Sequence, residues 1–157
     1  MIRPAVMVGL LLLGGCLGQM PRPETGLDRA LEQAGDSSGP SLGGRWLAMI
    51  SRRQGRDQVL LIDLDNRLPV ALPGLNRPDA QPVAVAVDHR GERLALIRQR
   101  QERTELLLYR RSLMSSEPVP LQAAGVPRMV SLQADGRRLA VQVSRDGGWQ
   151  VDLIPLP

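Results

Sequence analysis

Residues 44–64 (GRWLAMISRRQGRDQVLLIDL), 91–111 (GERLALIRQRQERTELLLYRR) and 136–156 (GRRLAVQVSRDGGWQVDLIPL) share one plan. A glycine is followed, after two residues, by Leu-Ala and an apolar run; a polar tip and a second apolar run come next. The glycines Gly44, Gly91 and Gly136 lie 47 and 45 residues apart, with Leu-Ala at Leu47-Ala48, Leu94-Ala95 and Leu139-Ala140. A period in the forties built from short strands is the pattern of propeller blades.

Each repeat divides into strands. The spacing predicts first strands over 82–87 and 129–133, ended by turns at Asp88-His89-Arg90-Gly91 and Asp135-Gly136. Second strands are expected over 46–50, 93–97 and 138–143, and third strands over 59–63, 106–109 and 149–154. In Leu-Ala-Met-Ile, Leu-Ala-Leu-Ile and Val-Leu-Leu-Ile both faces are apolar, which a strand needs only when covered on both sides. Outer strands are expected over 68–72 and 118–121. Their prolines lack the N–H that a central strand donates, so they belong at a blade edge. The first repeat shows no clear inner strand and the last no outer one.

These residues resemble the propeller blades of TolB, a periplasmic Tol-system protein, and the related blades of prolyl-oligopeptidase-like and tricorn-like proteins. The shared pattern is proline, hydrophobic strand, Asp-Gly, a basic residue, Leu-Ala and a second hydrophobic strand. The best copy runs from Pro127 through Val130 to Asp135-Gly136-Arg137-Arg138-Leu139-Ala140-Val141. The copy at 82–95 inserts His89-Arg90 between Asp88 and Gly91. The first is reduced to Gly43-Gly44-Arg45-Trp46-Leu47-Ala48, with Ser41 near the aspartate position. The resemblance implies an all-β fold, an incomplete TolB-like β-propeller of about three antiparallel blades over residues 43–157. It leaves function open, because such propellers serve binding proteins and enzymes alike.

The N-terminus suggests export. Arg3 supplies a short positive region and residues 5–13 an apolar stretch too short to span a bilayer. Leu13-Gly14-Gly15-Cys16 resembles the bacterial lipoprotein signal box, which implies removal of residues 1–15 and lipidation of Cys16. Cys16 is the only cysteine, so it forms no intrachain disulfide. Acyl chains there would anchor the protein, each buried CH₂ contributing about 0.8 kcal/mol. Leu17 stands where, in the enterobacterial version of this signal, an aspartate favours inner-membrane retention; an outer-membrane anchor facing the periplasm is therefore favoured. Residues 16–42, rich in Gly, Pro, Ser and charge, read as a tether, within which Thr25-Gly-Leu-Asp28 could cap a short helix ending at Gly35.

All twenty basic residues are arginine, against sixteen acidic ones. Arginine never deprotonates, so the pI of 10.8 overstates a modest charge. With Phe absent and only Trp46, Trp149 and Tyr109 aromatic, the chain offers no stacking platform for single-stranded nucleic acid. The expected partners are an envelope protein or a second copy that completes a six-bladed ring. Docking on a separate propeller-like protein, or a stack capped by residues 17–42, are the alternatives.

Binding groups should lie on the hairpin tips between second and third strands. Those tips hold Arg52, Arg53, Arg56, Arg98, Arg100, Arg103 and Arg145 against Asp57, Glu102 and Asp146. Such a rim suits an acidic protein surface, although solvated tips are the plainer reading. No catalytic role is expected. His89 lies in a turn without a nucleophile partner, and no Gly-x-Ser-x-Gly elbow occurs. Asp63, Asp65 and Asn66 could ligate calcium, but they read more simply as turn residues, so no metal or cofactor is expected. The function that follows is a non-catalytic binding or scaffold module of the cell envelope. The alternatives are an accessory propeller subunit of a periplasmic peptidase, or a decayed propeller fragment without a specific ligand.

Overall fold

Each Leu-Ala run lies within a strand, and in the first two blades both of its faces find a covered surface, whereas in the third only the face with Leu139, Val141 and Val143 does. The computed structural model describes residue 22 and residues 24–157, so the signal segment and Cys16 lie outside the described residues. Helix α1 (Thr25–Ala34) precedes three antiparallel sheets. The first is ordered β1 (Ser37–Gly43), β2 (Trp46–Arg53), β3 (Arg56–Asp63), β4 (Leu68–Val70). The second is β5 (Gln81–Val87), β6 (Arg93–Arg100), β7 (Arg103–Arg110), β8 (Ser115–Pro118). In the third, β10 (Arg138–Arg145) lies between β9 (Val126–Leu132) and β11 (Gly148–Pro155). These are three blades of an all-β, partial TolB-like propeller.

The blades stack through alternate residues of their strands. Trp46, Ala48, Ile50 and Leu61 of the first blade meet Val85, Leu94, Leu96 and Tyr109 of the second. The other face of the second, with Ala86, Ala95, Ile97 and Leu106, meets Leu139, Val141, Val143 and Ile154 of the third. Leu61, Leu94, Ile97, Leu139 and Val141 are fully buried, and each such side chain contributes about 1.5–3 kcal/mol by leaving water.

The turns also stack. Asp88 is buried, and its Oδ1 accepts from the backbone N–H of Glu92 at 2.8 Å and of Arg93 at 3.1 Å. The His89 N–H donates to the Ala134 carbonyl in the next blade's turn (2.9 Å), and Arg93 Nη1 donates to the Gly136 carbonyl (2.8 Å). Gly91, at φ +64°, lies so close to the Trp46 ring that a Cβ would meet it at 2.4 Å. No other residue type has both the left-handed backbone and the missing side chain that this packing needs.

Three expectations need correction. The first blade does have an inner strand: β1 begins at Ser37, inside the segment read as a tether, and pairs with β2. Its sequence SSGPSLG is mostly exposed, so it carries none of the apolar pattern of a buried strand. The helix ends at Gly35 as expected, but its N-cap is Glu24, which makes no side-chain capping bond. The second blade's outer strand lies at Ser115–Pro118, earlier than 118–121.

Helix α1 is tied to the first blade. Leu27, Leu31 and Ala34 pack with Leu47, Met49, Leu60 and Ile62, covering the face of that blade turned away from the second. Ser51 Oγ donates to the Ala34 carbonyl.

Candidate functional site

The β2–β3 and β6–β7 hairpin tips come together over the loop that crosses from the first blade to the second. That loop, residues 71–80, is pinned at two points. Asn76 accepts from Val59 N–H (2.7 Å) and donates to Val59 C=O (2.8 Å), taking the place of a strand partner there. The buried Tyr109 donates its hydroxyl to Pro73 C=O at 2.8 Å. Between the tips and this loop lies a cleft of about 560 Å³, a volume typical of ligand pockets.

Arginine and aspartate pairs form its walls. Arg52 donates to Asp57 through Nε (2.9 Å) and Nη2 (3.3 Å), and Gln81 donates to the same carboxylate at 3.3 Å. Asp79 accepts from Arg77 Nε at 2.9 Å and from Arg100 Nε at 2.8 Å. The hydrogen bond from Arg77, aided by the charge of Arg100, holds the Asp79 carboxyl down at about 2. Arg52 in turn holds Asp57 below the ordinary carboxylate range. Arg56, at the mouth, makes no ion pair with a described residue.

The seven tip arginines have different environments. Arg52, Arg56 and Arg100 line the cleft, and Arg53 and Arg103 are exposed outside it. Arg98 is buried, pairs through Nε with Glu105 at 2.8 Å, and lies beneath the cleft. Arg145 is not an open binding group. Its Nη1 and Nη2 donate to Asp152 at 2.8 and 2.5 Å, while Nε and Nη2 donate to the carbonyls of Ala124 and Ala123. It thus fastens the loop before β9 to β11, and it does not line the cleft. The hydrogen bond from Arg145 depresses the Asp152 carboxyl.

The crossover residues Asn76, Arg77 and Asp79 were not singled out by sequence. Asn-Arg-Pro-Asp reads as a polar turn, and only the blade register brings it beneath the two tips. Asp63 and Asp65 serve the turn after β3. Burial works against the Asp63 charge, but bonds from Asn66 Nδ2 and from the N–H groups of Asn66 and Asp65, with Arg45 nearby, lower its carboxyl overall. His89 borders a shallow depression with Arg90 and Trp46. Arg45 and Arg111 stand over the Trp46 ring at 4.8 and 4.4 Å from its centre. Among the described residues, no three His, Cys, Asp or Glu side chains gather as a metal site.

The fold defines the chain as a run of propeller blades. No family model and no curated protein matches the sequence. Solved structures match the fold: TolB from Acinetobacter baumannii at TM-score 0.59 and 15% identity, over 78% of this chain and 30% of that one. A putative TolB from Agrobacterium tumefaciens gives TM-score 0.62 at 11% identity, over 77% of this chain and 46% of that one. The β-propeller domain of the Trilobed protease from Pyrococcus furiosus gives 0.54 at 16%, over 74% and 37%. The chain therefore spans less than half the length of each of these three structures.

Proposed function

We propose that this chain is an exported, lipid-anchored, non-catalytic binding or scaffold module of the bacterial cell envelope. The observation that carries the reading is the union of Leu13-Gly14-Gly15-Cys16 with a blade stack. The likeness of the blades to TolB supports a periplasmic setting. Two surfaces serve binding. One is the cleft between the first two tips, lined by Arg52, Arg56 and Arg100, suited to an acidic protein surface. The other is the outer face of the third blade, where Met129, Trp149, Val151 and Leu153 are 58–66% exposed, suited to an envelope protein or a second copy.

Metabolic labelling with a radioactive fatty acid, followed by detergent phase partition, tests the anchor. The wild-type chain is expected to take up label and enter the detergent phase, and Cys16→Ser to do neither. An unlabelled, water-soluble wild-type protein with Cys16 intact overturns the anchoring. Peptide hydrolysis by the purified protein alone overturns the non-catalytic role.

A further inference from the structure

We propose that the cleft between the first two hairpin tips binds a carboxylate presented by an extended acidic peptide segment of a partner protein. This rests on the binding-module reading and narrows it to one site and one chemistry. The central observation is Arg98, which is only 8% exposed. Its Nε is satisfied by Glu105 at 2.8 Å, but its Nη1 is a buried nitrogen with no hydrogen-bond partner among the described residues. Leaving a buried, charged N–H unpaired is costly, so its presence points to a group that completes it.

Arg98 borders a small cavity of about 10 Å³ that shares Asp57, Asn76, Arg77 and Ala80 with the cleft above. That space suits a single small polar group such as one carboxylate oxygen. Above it, four arginines against two aspartates leave the cleft walls with a net charge of +2. Asp57 and Asp79 are already held by Arg52, Arg77 and Arg100, which shows the form of pairing the walls favour: guanidinium on carboxylate. Arg56, also in the lining, has no ion-pair partner among the described residues.

The choice of carboxylate over phosphate follows from the same walls. A phosphate dianion would bring its second charge against Asp57 and Asp79. Gln58, Gln99 and Gln101 also line the cleft, and their amides both donate and accept, as an extended peptide main chain requires. A phosphate asks for donors alone.

The test is fluorescence anisotropy with the full-length processed protein in non-ionic detergent. The probe is a fluorescein-labelled hexapeptide carrying two glutamates and an amidated C-terminus. Controls are its glutamine counterpart, amidated and with a free C-terminus, with inorganic phosphate and free glutamate as competitors. The glutamate peptide is expected to bind at least roughly tenfold more tightly than the amidated glutamine peptide. A gain for the free C-terminus places the carboxylate at a chain end and supports the same site. Arg100→Gln and Arg98→Lys are each expected to weaken binding roughly tenfold; Arg98→Lys keeps the charge facing Glu105 and removes Nη1. Arg53→Gln and Arg103→Gln, outside the cleft, are expected to change it less than about twofold. If Arg98→Lys fails to fold, Arg100→Gln against Arg103→Gln decides.

Equal losses at all four arginines show a diffuse field, overturning the cleft while leaving the binding module standing. So does equal binding of the glutamate and amidated glutamine peptides, or phosphate displacing the peptide at lower concentration than free glutamate does. Cleavage of the peptide overturns the non-catalytic reading and this proposal with it.

Discussion

Gly91 sets how closely the first two blades approach, and Asp88 closes the turn that carries it. Gly91→Ala places a methyl group against the Trp46 ring in a backbone region that disfavours it, and it is expected to destabilise the fold by about 1–3 kcal/mol in chemical denaturation. Asp88→Ala removes the acceptor for two turn N–H groups, and a loss of about 1–3 kcal/mol is expected; Asp88→Asn, which keeps a carbonyl acceptor, should lose less. Acid acts at the cleft. Asp79 has its carboxyl lowered from 3.8 to about 2, so its contribution is present above pH 4 and fades as pH falls from roughly 4 to 2. Thermal melts across that window should show a fall in melting temperature that Asp79→Asn reduces. The turns at Asp88 and the glycines were legible in the sequence, because turn chemistry is local, whereas the contact of Gly91 with Trp46 was not. The roles of Arg98 and Arg145 were not, since a hairpin-tip arginine looks the same whether it meets water, Glu105 or Asp152.

At the scale of elements, apolar pattern and turn chemistry located the second and third strands of every blade within a few residues. The elements that escaped had no such pattern. β1 is polar because its outward face is solvated, and it is a strand only because β2 offers a free edge. Helix α1 was legible as a short helix ending at Gly35, and a cap formed by residues 17–42 was one alternative, but the sequence favoured a tether because ten residues are too few to hold a helix alone. Its stability comes from the blade beneath. Leu31→Asp is therefore expected to melt α1 and bare Leu47, Met49, Leu60 and Ile62, read as loss of helical circular dichroism and a rise in binding of a hydrophobic dye. If the helical signal persists with no added dye binding, α1 does not depend on that contact.

Across the whole molecule, the two ends of the stack differ. The first blade's outer face lies under α1, whereas the third blade's presents Met129, Trp149, Val151 and Leu153 to water. A head-to-tail ring of two copies needs each third blade to seat on the other copy's first blade, which is the surface α1 occupies. Displacing the helix would expose Leu27 and Leu31, at up to about 1.5–3 kcal/mol each. Self-association is therefore expected through two third-blade faces related by a two-fold axis, a closed contact that stops at the dimer. Light scattering of residues 17–157 over a dilution series should show a monomer–dimer equilibrium, with Val151→Glu monomeric throughout. Leu31→Asp, by opening the second face, should let assembly continue beyond two chains. A wild-type dimer that becomes newly cleavable by protease within residues 25–34 on association would instead mean that α1 is released and the ring closes.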